Sequence, residues 1–379
     1  MRAPAEPISP GQYWMMVAVS VVAGGVYVWP AYVVKAGGGD ALWSLLATTG
    51  TALGIAFLQT QWAARTRAAT FTQVLYRTWG KAGVWVGLVG SMAGCLLLDG
   101  CLLSLFGDML KEFFYPFTPI WVTTLGIMSL SAWTATKSLS GVARNAQFWF
   151  PLILLSVAIV IASALPNTHH WRAALPATTL YVGPTARAAL GTWFLYVNGG
   201  VTMTFSAHVR HRAQARTFPL ALSAIAFQGF VLLILYVIVV GTLGPAAVSQ
   251  LRWPIIYVFS LITVRSFFVK GLGAFIVITW TVAMVLYQTV HLFCGSWNLQ
   301  LALRLRPEQR WAMVVAMACA VYTISILIPS DITARDLILN LVNPYDLAWV
   351  TLLTVASFIW AWVRRPKAAR ASRGQGSQG

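Results

Sequence analysis

Charge is what this sequence most conspicuously lacks. Only 9% of its 379 residues are Asp, Glu, Lys or Arg, whereas a water-soluble domain carries about 25%. So few charges leave the surface of a soluble protein of this size unsolvated, which excludes an ordinary soluble fold. Acids are the scarcer sign, nine against 26 bases, and the formal net charge is +17. That excess first points to nucleic acid, but the bases stand in short clusters between long apolar runs. This is how membrane topology signals look, so nucleic acid is set aside as a partner. Cysteine is limited to Cys95, Cys101, Cys294 and Cys319, each inside an apolar run. With no CxxC and no Cys/His metal spacing, neither a disulfide framework nor a metal site is expected, and the four read as small buried hydrophobes. No cleavable signal peptide is expected: residues 1–10 are polar, and the apolar run after them is too long for a signal h-region. There is no GxSxG, HExxH, Walker loop or cluster of carboxylates, so neither an enzyme nor a cofactor is expected.

What the chain has in abundance is apolar surface: 58% of residues are hydrophobic, and the mean hydropathy is +0.72. Its solvent is the lipid bilayer, and 18 Trp with 12 Tyr supply rings that favour headgroup depth. Counting runs of about 20 residues between charges predicts an all-α integral membrane protein of ten transmembrane helices. They fall at 12–34, 41–63, 83–110, 118–136, 145–165, 188–208, 218–243, 271–292, 311–328 and 347–363. A further apolar run at 253–262, opened by Pro254 and closed by Arg265 and Lys270, is too short to span. It reads as an interfacial or partly re-entrant helix on the outer face.

Orientation follows from the bases. With both termini in the cytoplasm, 18 of the 26 bases fall on the cytoplasmic side, among them Arg65, Arg144, Arg210, Arg304 and Arg310. Six acids (Asp40, Asp108, Glu112, Asp331, Asp336 and Asp346) fall outside, against Glu6 and Glu308 inside. A miscounted span would have scrambled this alternation. The chain divides into a cytoplasmic N-terminus (1–11), a first five-helix repeat (12–165), an extracytoplasmic loop (166–187) and a second five-helix repeat (188–363). A basic cytoplasmic tail (364–379), Gly/Ser/Gln-rich towards its end, is expected to be disordered.

Five is odd, so the second set of five begins on the opposite side from the first, which is the arithmetic of an inverted repeat. Span one carries Gly24-Gly25-Val26, and span six carries Asn198-Gly199-Gly200-Val201 at a similar depth. A Gly-Gly pair in mid-helix costs about 2 kcal/mol relative to Ala-Ala. In lipid, the freed backbone is tolerated only where protein or a polar cavity receives it. Such pairs mark either a broken, ligand-binding midplane segment or close helix packing through small residues.

Asp99 lies in span three among leucines, where a charge costs several kcal/mol unless it pairs or faces a cavity. It reads as a proton, cation or substrate-amine site, or as a polar clamp between helices. Asn198 and Thr202 flank the second glycine pair and are candidates to line the same cavity. Tyr287 and His291 lie four residues apart, on one helical face. Tyr27, Trp29 and Pro30 are candidates for a gate or an aromatic belt, and His208, beside Arg210 and Arg212, for a cytoplasmic interface.

The opening Ile8-Ser9-Pro10-Gly11-Gln12 is similar to the "ISPxQ" that begins the spore-germination permease family. The aromatic-rich stretch 257–280, with Arg265, Phe275 and Trp280, is a second match. Over about residues 8–365 the chain resembles that family, the GerAB-like B subunits of germinant receptors in the amino acid–polyamine–organocation superfamily. It departs at Val264-Arg265-Ser266 and Val269-Lys270-Gly271, where an "ERxExxF"-like pattern would carry an acid. The resemblance implies a LeuT-like five-plus-five fold in the spore inner membrane. It also implies a nutrient ligand such as an amino acid, and as partners an A subunit and a lipoprotein C subunit. The ligand carboxylate would lie against Gly24-Gly25 and Gly199-Gly200, with Asp99 close by. A stand-alone proton- or sodium-coupled amino-acid permease is the alternative.

Overall fold

The computed structural model describes residues 7–22, 28–66, 70–175, 181–210, 217–261 and 268–363. Apart from one parallel bridge between Ile8 and Val209, the regular structure among the described residues is helical. In chain order the helices are α1 (Pro10–Val22), α2 (Trp29–Gly37), α3 (Ala41–Thr66), α4 (Phe71–Phe113), α5 (Ile120–Ala135), α6 (Leu139–Ala164), α7 (Val182–Gly191) and α8 (Val201–Ser206). They continue as α9 (Thr217–Leu243), α10 (Pro245–Gln250), α11 (Pro254–Leu261), α12 (Phe268–Leu303), α13 (Arg310–Leu327), α14 (Asp331–Leu337) and α15 (Asn343–Val363).

Among the described residues, seven helical stretches are long and apolar enough to cross a membrane, and Ile120–Ala135 is a shorter apolar one. The remaining two expected spans are each in two pieces. Span one is α1 and α2, span six is α7 and α8, and Gly24, Gly25 and Val26 fall outside the described residues. Proline helps to start α2, whose first turn contains Pro30, because its missing N–H is not needed there.

Three features lay outside the sequence reading. The helix of span three starts at Phe71, well before 83, and is broken by Gly80 at φ 72, a conformation that only glycine adopts without strain. The helix of span six starts at Val182 rather than 188. A π-helical stretch, Ile338–Val342, joins α14 to α15. The apolar run at 253–262 does form a helix, α11, but Trp253, Ile255 and Val258 are buried, so it packs onto the bundle.

Contacts tie the two halves together. α1 and α3 pack on α9, α4 on α13, and α12 on α4, α5 and α6. Without a hydrophobic drive inside lipid, close packing must supply the cohesion. Gly100 of α4 illustrates this, since a Cβ there would overlap the Ile324 side chain of α13.

The ends of the bundle differ in charge. At the basic end, Ile8 N donates to His208 O (2.9 Å) and Arg210 N to Ile8 O (3.1 Å). Arg310 is buried there and donates to the carbonyls of Ala135, Thr136 and Lys137 (2.8, 3.1 and 2.7 Å), capping α5. His208 is likewise buried, edge-on to Trp297, so its reading as an interface residue is corrected. The acidic end carries Glu112, Asp331 and Arg252 in one ion-paired network.

Candidate functional site: a buried Asp–His–Cys cluster beside the broken helix

Asp99 on α4 and His291 on α12 face each other where those helices pack. Asp99 Oδ1 is 2.8 Å from His291 Nδ1, and both residues are almost fully buried. A carboxylate in hydrocarbon requires a partner, and the imidazole provides it. Cys95, one turn before Asp99, places Sγ 3.7 Å from Asp99 Oδ2 and 3.6 Å from His291 Nδ1. Gln288 Nε2 donates to the Asp99 carbonyl at 3.0 Å. The Tyr287 ring lies 4.2 Å from the His291 ring. Helical periodicity accounts for both pairs, because residues four apart share a face. His291 Nε2 is buried without a hydrogen-bond partner among the described residues.

The interruption of span six runs past this cluster. Gly199 and Gly200 have φ 56 and 83, and the 3₁₀ turn Trp193–Tyr196 precedes them. Side chains hold this segment: Thr48 Oγ1 and Asn343 Nδ2 donate to backbone carbonyls at the end of α7, Ala189 O at 3.0 Å among them, and the other bonds join side chains or stay within the segment. Asn343 Nδ2 donates to Gly191 O (3.0 Å), and Thr48 Oγ1 is 2.9 Å from Thr192 Oγ1. Tyr196 Oη is 2.7 Å from Thr49 Oγ1, and Gly200 N donates to Asn198 Oδ1 (3.1 Å).

Two cavities meet at this segment. One, of about 20 Å³, is lined by Cys95, His291, Gly199, Ser91, Phe71 and Asn298, among others. The other, of about 50 Å³, lies against Trp193, Asn198, Gly199, Gly200, Gln59 and Asp346 and shares Gly199, Ser91 and Phe71 with the first. At roughly 10–15 Å³ per water, the first has room for about one water and the second for about four. Towards the basic end the small cavity is closed by Asn298 of α12. Its Oδ1 accepts from Thr72 N (3.1 Å) and Thr72 Oγ1 (2.9 Å), and its Nδ2 donates to Thr204 Oγ1 and Cys294 O (both 2.9 Å).

The expected residues thus separate into groups. Asp99 and Tyr287 gather around His291, while Asn198, Gly199 and Gly200 line the larger cavity; Gly199 borders both cavities. Thr202 is fully buried with its carbonyl accepting from Tyr13 Oη at 2.9 Å, and it lines neither cavity. Gly24, Gly25, Val26 and Tyr27 lie outside the described residues.

Sequence reasoning missed Asp346, Cys95 and Asn298. Asp346 was counted with the outer-face acids because it precedes an apolar run. The fold buries it on the larger cavity, where its Oδ2 accepts from Trp193 Nε1 at 2.9 Å. Its place within one turn of a span, just after Asn343-Pro344, was the available signal. Cys95 is not merely a small hydrophobe, since its thiol contacts both members of the Asp–His pair, whereas Cys319 is exposed.

At the acidic end, Arg252 pairs with Asp331 (2.5 Å) and Glu112 (3.0 Å), and Trp253 Nε1 donates to Glu112 Oε2 (2.8 Å). Arg335 donates to the Arg252 carbonyl (2.7 Å) and lies 3.4 Å from Asp331. Burial works against the Arg252 cation, but its hydrogen bond to Asp331 and the nearby carboxylates outweigh this and raise its pKa.

The profile of a family described as "Spore germination protein", the spore permease family, matches residues 7–334. Among solved structures, the crystal structure of MhsT in complex with L-phenylalanine aligns with a TM-score of 0.66 and 14% identity, covering 93% of this chain and 97% of that one. At that identity the likeness is one of fold, and it places the chain in the LeuT-like class of helical membrane proteins. No curated protein sequence matches the chain.

Proposed function

The chain belongs to the spore permease family of spore germination proteins, and from that premise we propose that it is the membrane-embedded B subunit of a germinant receptor. Family and fold make it a multi-pass membrane protein of permease or receptor type rather than an enzyme. In the proposed role it senses a nutrient such as an amino acid, in the spore inner membrane, with both termini cytoplasmic. An A subunit and a lipoprotein C subunit act beside it.

The observation that carries this reading is the glycine-broken span six opening on a cavity that also holds a buried carboxylate. A small amino acid would set its carboxylate against the backbone at Gly199 and Gly200, taking the place of Asn198 Oδ1 on the Gly200 N–H, and its ammonium against Asp346. The proposed ligand-binding set keeps Asn198, Gly199, Gly200 and Asp99, with Gly24, Gly25, Val26 and Tyr287 as further members, and adds Asp346; Thr202, which lines neither cavity, leaves it. The two five-helix repeats, 12–165 and 188–363, would move against each other. Occupancy shifts that equilibrium by as much as the ligand's affinities for the two forms differ.

Germination of spores on defined nutrients tests the reading. Spores whose only receptor of this type carries Gly200→Val or Asp346→Asn should lose the response to the cognate nutrient while the protein stays in the membrane fraction. If a strain lacking all related receptors germinates normally on every nutrient after deletion of this gene, the receptor role is wrong. A stand-alone proton- or sodium-coupled amino-acid permease is the second reading. It is favoured by the fold shared with a protein crystallised with L-phenylalanine, and uptake of labelled amino acid by vesicles holding this chain alone would establish it.

A further inference from the structure

We propose that Cys95, Asp99 and His291 form a binding site for a divalent transition-metal ion of the zinc class, with its fourth position open to the small cavity. The three candidate ligand atoms lie within 4.8 Å of one another, and all three residues are buried. A zinc-class ion, bonded at about 2.3 Å to sulfur and about 2.0–2.1 Å to nitrogen or oxygen, holds tetrahedral ligand atoms roughly 3.3–3.6 Å apart. The two separations from Cys95 Sγ, 3.6 Å to His291 Nδ1 and 3.7 Å to Asp99 Oδ2, already match that spacing. His291 Nδ1 lies 2.8 Å from the other carboxylate oxygen, Asp99 Oδ1, so a turn of the Asp99 carboxyl group is needed to set one oxygen at the tetrahedral spacing from both partners. The ion replaces the proton between them.

Charge favours the assignment. A divalent cation with one thiolate, one carboxylate and a neutral imidazole is electrically neutral, the combination a low-dielectric interior accepts at least cost. The fourth ligand also has a place: Cys95 and His291 line the cavity of about 20 Å³, enough for one water. Gly199 keeps the approach open, because a Cβ on it would stand 3.0 Å from Cys95 Sγ. Three side-chain ligands and one open position are the pattern of a site that exchanges its fourth ligand. That position adjoins Gly199, so a bound metal would be felt by the broken segment of span six.

The test uses the full chain purified in detergent without a histidine tag. A Cys319→Ser background removes the exposed thiol. Zinc is titrated with a competing chelator, and cobalt is added separately to read its absorption. The expected result is one zinc per chain and a cobalt spectrum with a thiolate-to-metal charge-transfer band. In Cys95→Ser the band should disappear, and zinc affinity should fall at least tenfold, as it should in His291→Gln. Unchanged binding in both variants would mean adventitious surface sites, and no stoichiometric binding in the parent would mean that the Asp–His pair holds only a proton. Either result overturns the site, as does a charge-transfer band that survives in Cys95→Ser. Cys95→Ser is nearly isosteric, and the parent cobalt spectrum needs no variant, so a misfolded His291→Gln would not shield the proposal. Germination assays are not involved, so failure here leaves the receptor reading untouched.

Discussion

At the acidic end the helices are tied by charges that water still reaches, and at the basic end by hydrogen bonds sealed inside protein. Arg252 and Glu112 are 41% and 34% exposed, and they join α4 to the segment before α11 and to α14. Asn298, by contrast, is 1% exposed and joins the first turn of α4 to α8 and α12. Arg310, a buried cation at the basic end, donates to three backbone carbonyls. Exposed ion pairs stabilise weakly and are screened by salt, whereas a buried amide stripped of its partners leaves each of them unsatisfied. In the proposed receptor, the acidic end would open more easily than the basic one. The broken segment of span six lies between them.

Four measurements would break or sharpen that contrast. Asn298→Ala should have the largest effect, about 3 kcal/mol, because Thr72 N and the Thr204 hydroxyl lose a buried partner. It should appear as a lower unfolding temperature in detergent that salt does not restore. Arg310→Ala should cost about 2–3 kcal/mol by exposing the carbonyl end of α5. Comparing the loss at low and high ionic strength checks whether it is as salt-insensitive as its burial requires. Asp331→Asn should cost about 1–2 kcal/mol, since Arg252 and Arg335 both lose an anion at a nearly buried position. Glu112→Gln should cost less than about 1 kcal/mol, and the difference should vanish near 1 M salt, where screening acts within about 3 Å. If Glu112→Gln destabilised more than Asn298→Ala, the two ends would not differ in the way described.

Legibility in the sequence tracked the physics of each feature. The uninterrupted spans were readable because the bilayer requires long apolar runs and the bases between them alternate. Asp99 was readable because an acid among leucines is costly wherever it falls. Its partner was not, because His291 is 192 residues away and only the packing of α12 on α4 joins them. Asp346 was misplaced for a related reason: an acid at the edge of an apolar run looks interfacial until helices from elsewhere cover it. The segment from Phe71 to Gly80 is not part of the expected span three because its polar residues mask a helix that is broken at a single positive-φ glycine.

The sequence by itself determined the solvent, the helical class, the number of spans and the glycines within the interruption of span six. These follow from local composition and from the cost of an unpaired backbone in lipid. The tertiary structure decided which side chains receive that backbone, that Cys95, Asp99 and His291 converge, and which end is tied by charge. Convergence depends on how α4, α8, α12 and α15 pack, and packing is set by surfaces far apart in the chain rather than by any local pattern.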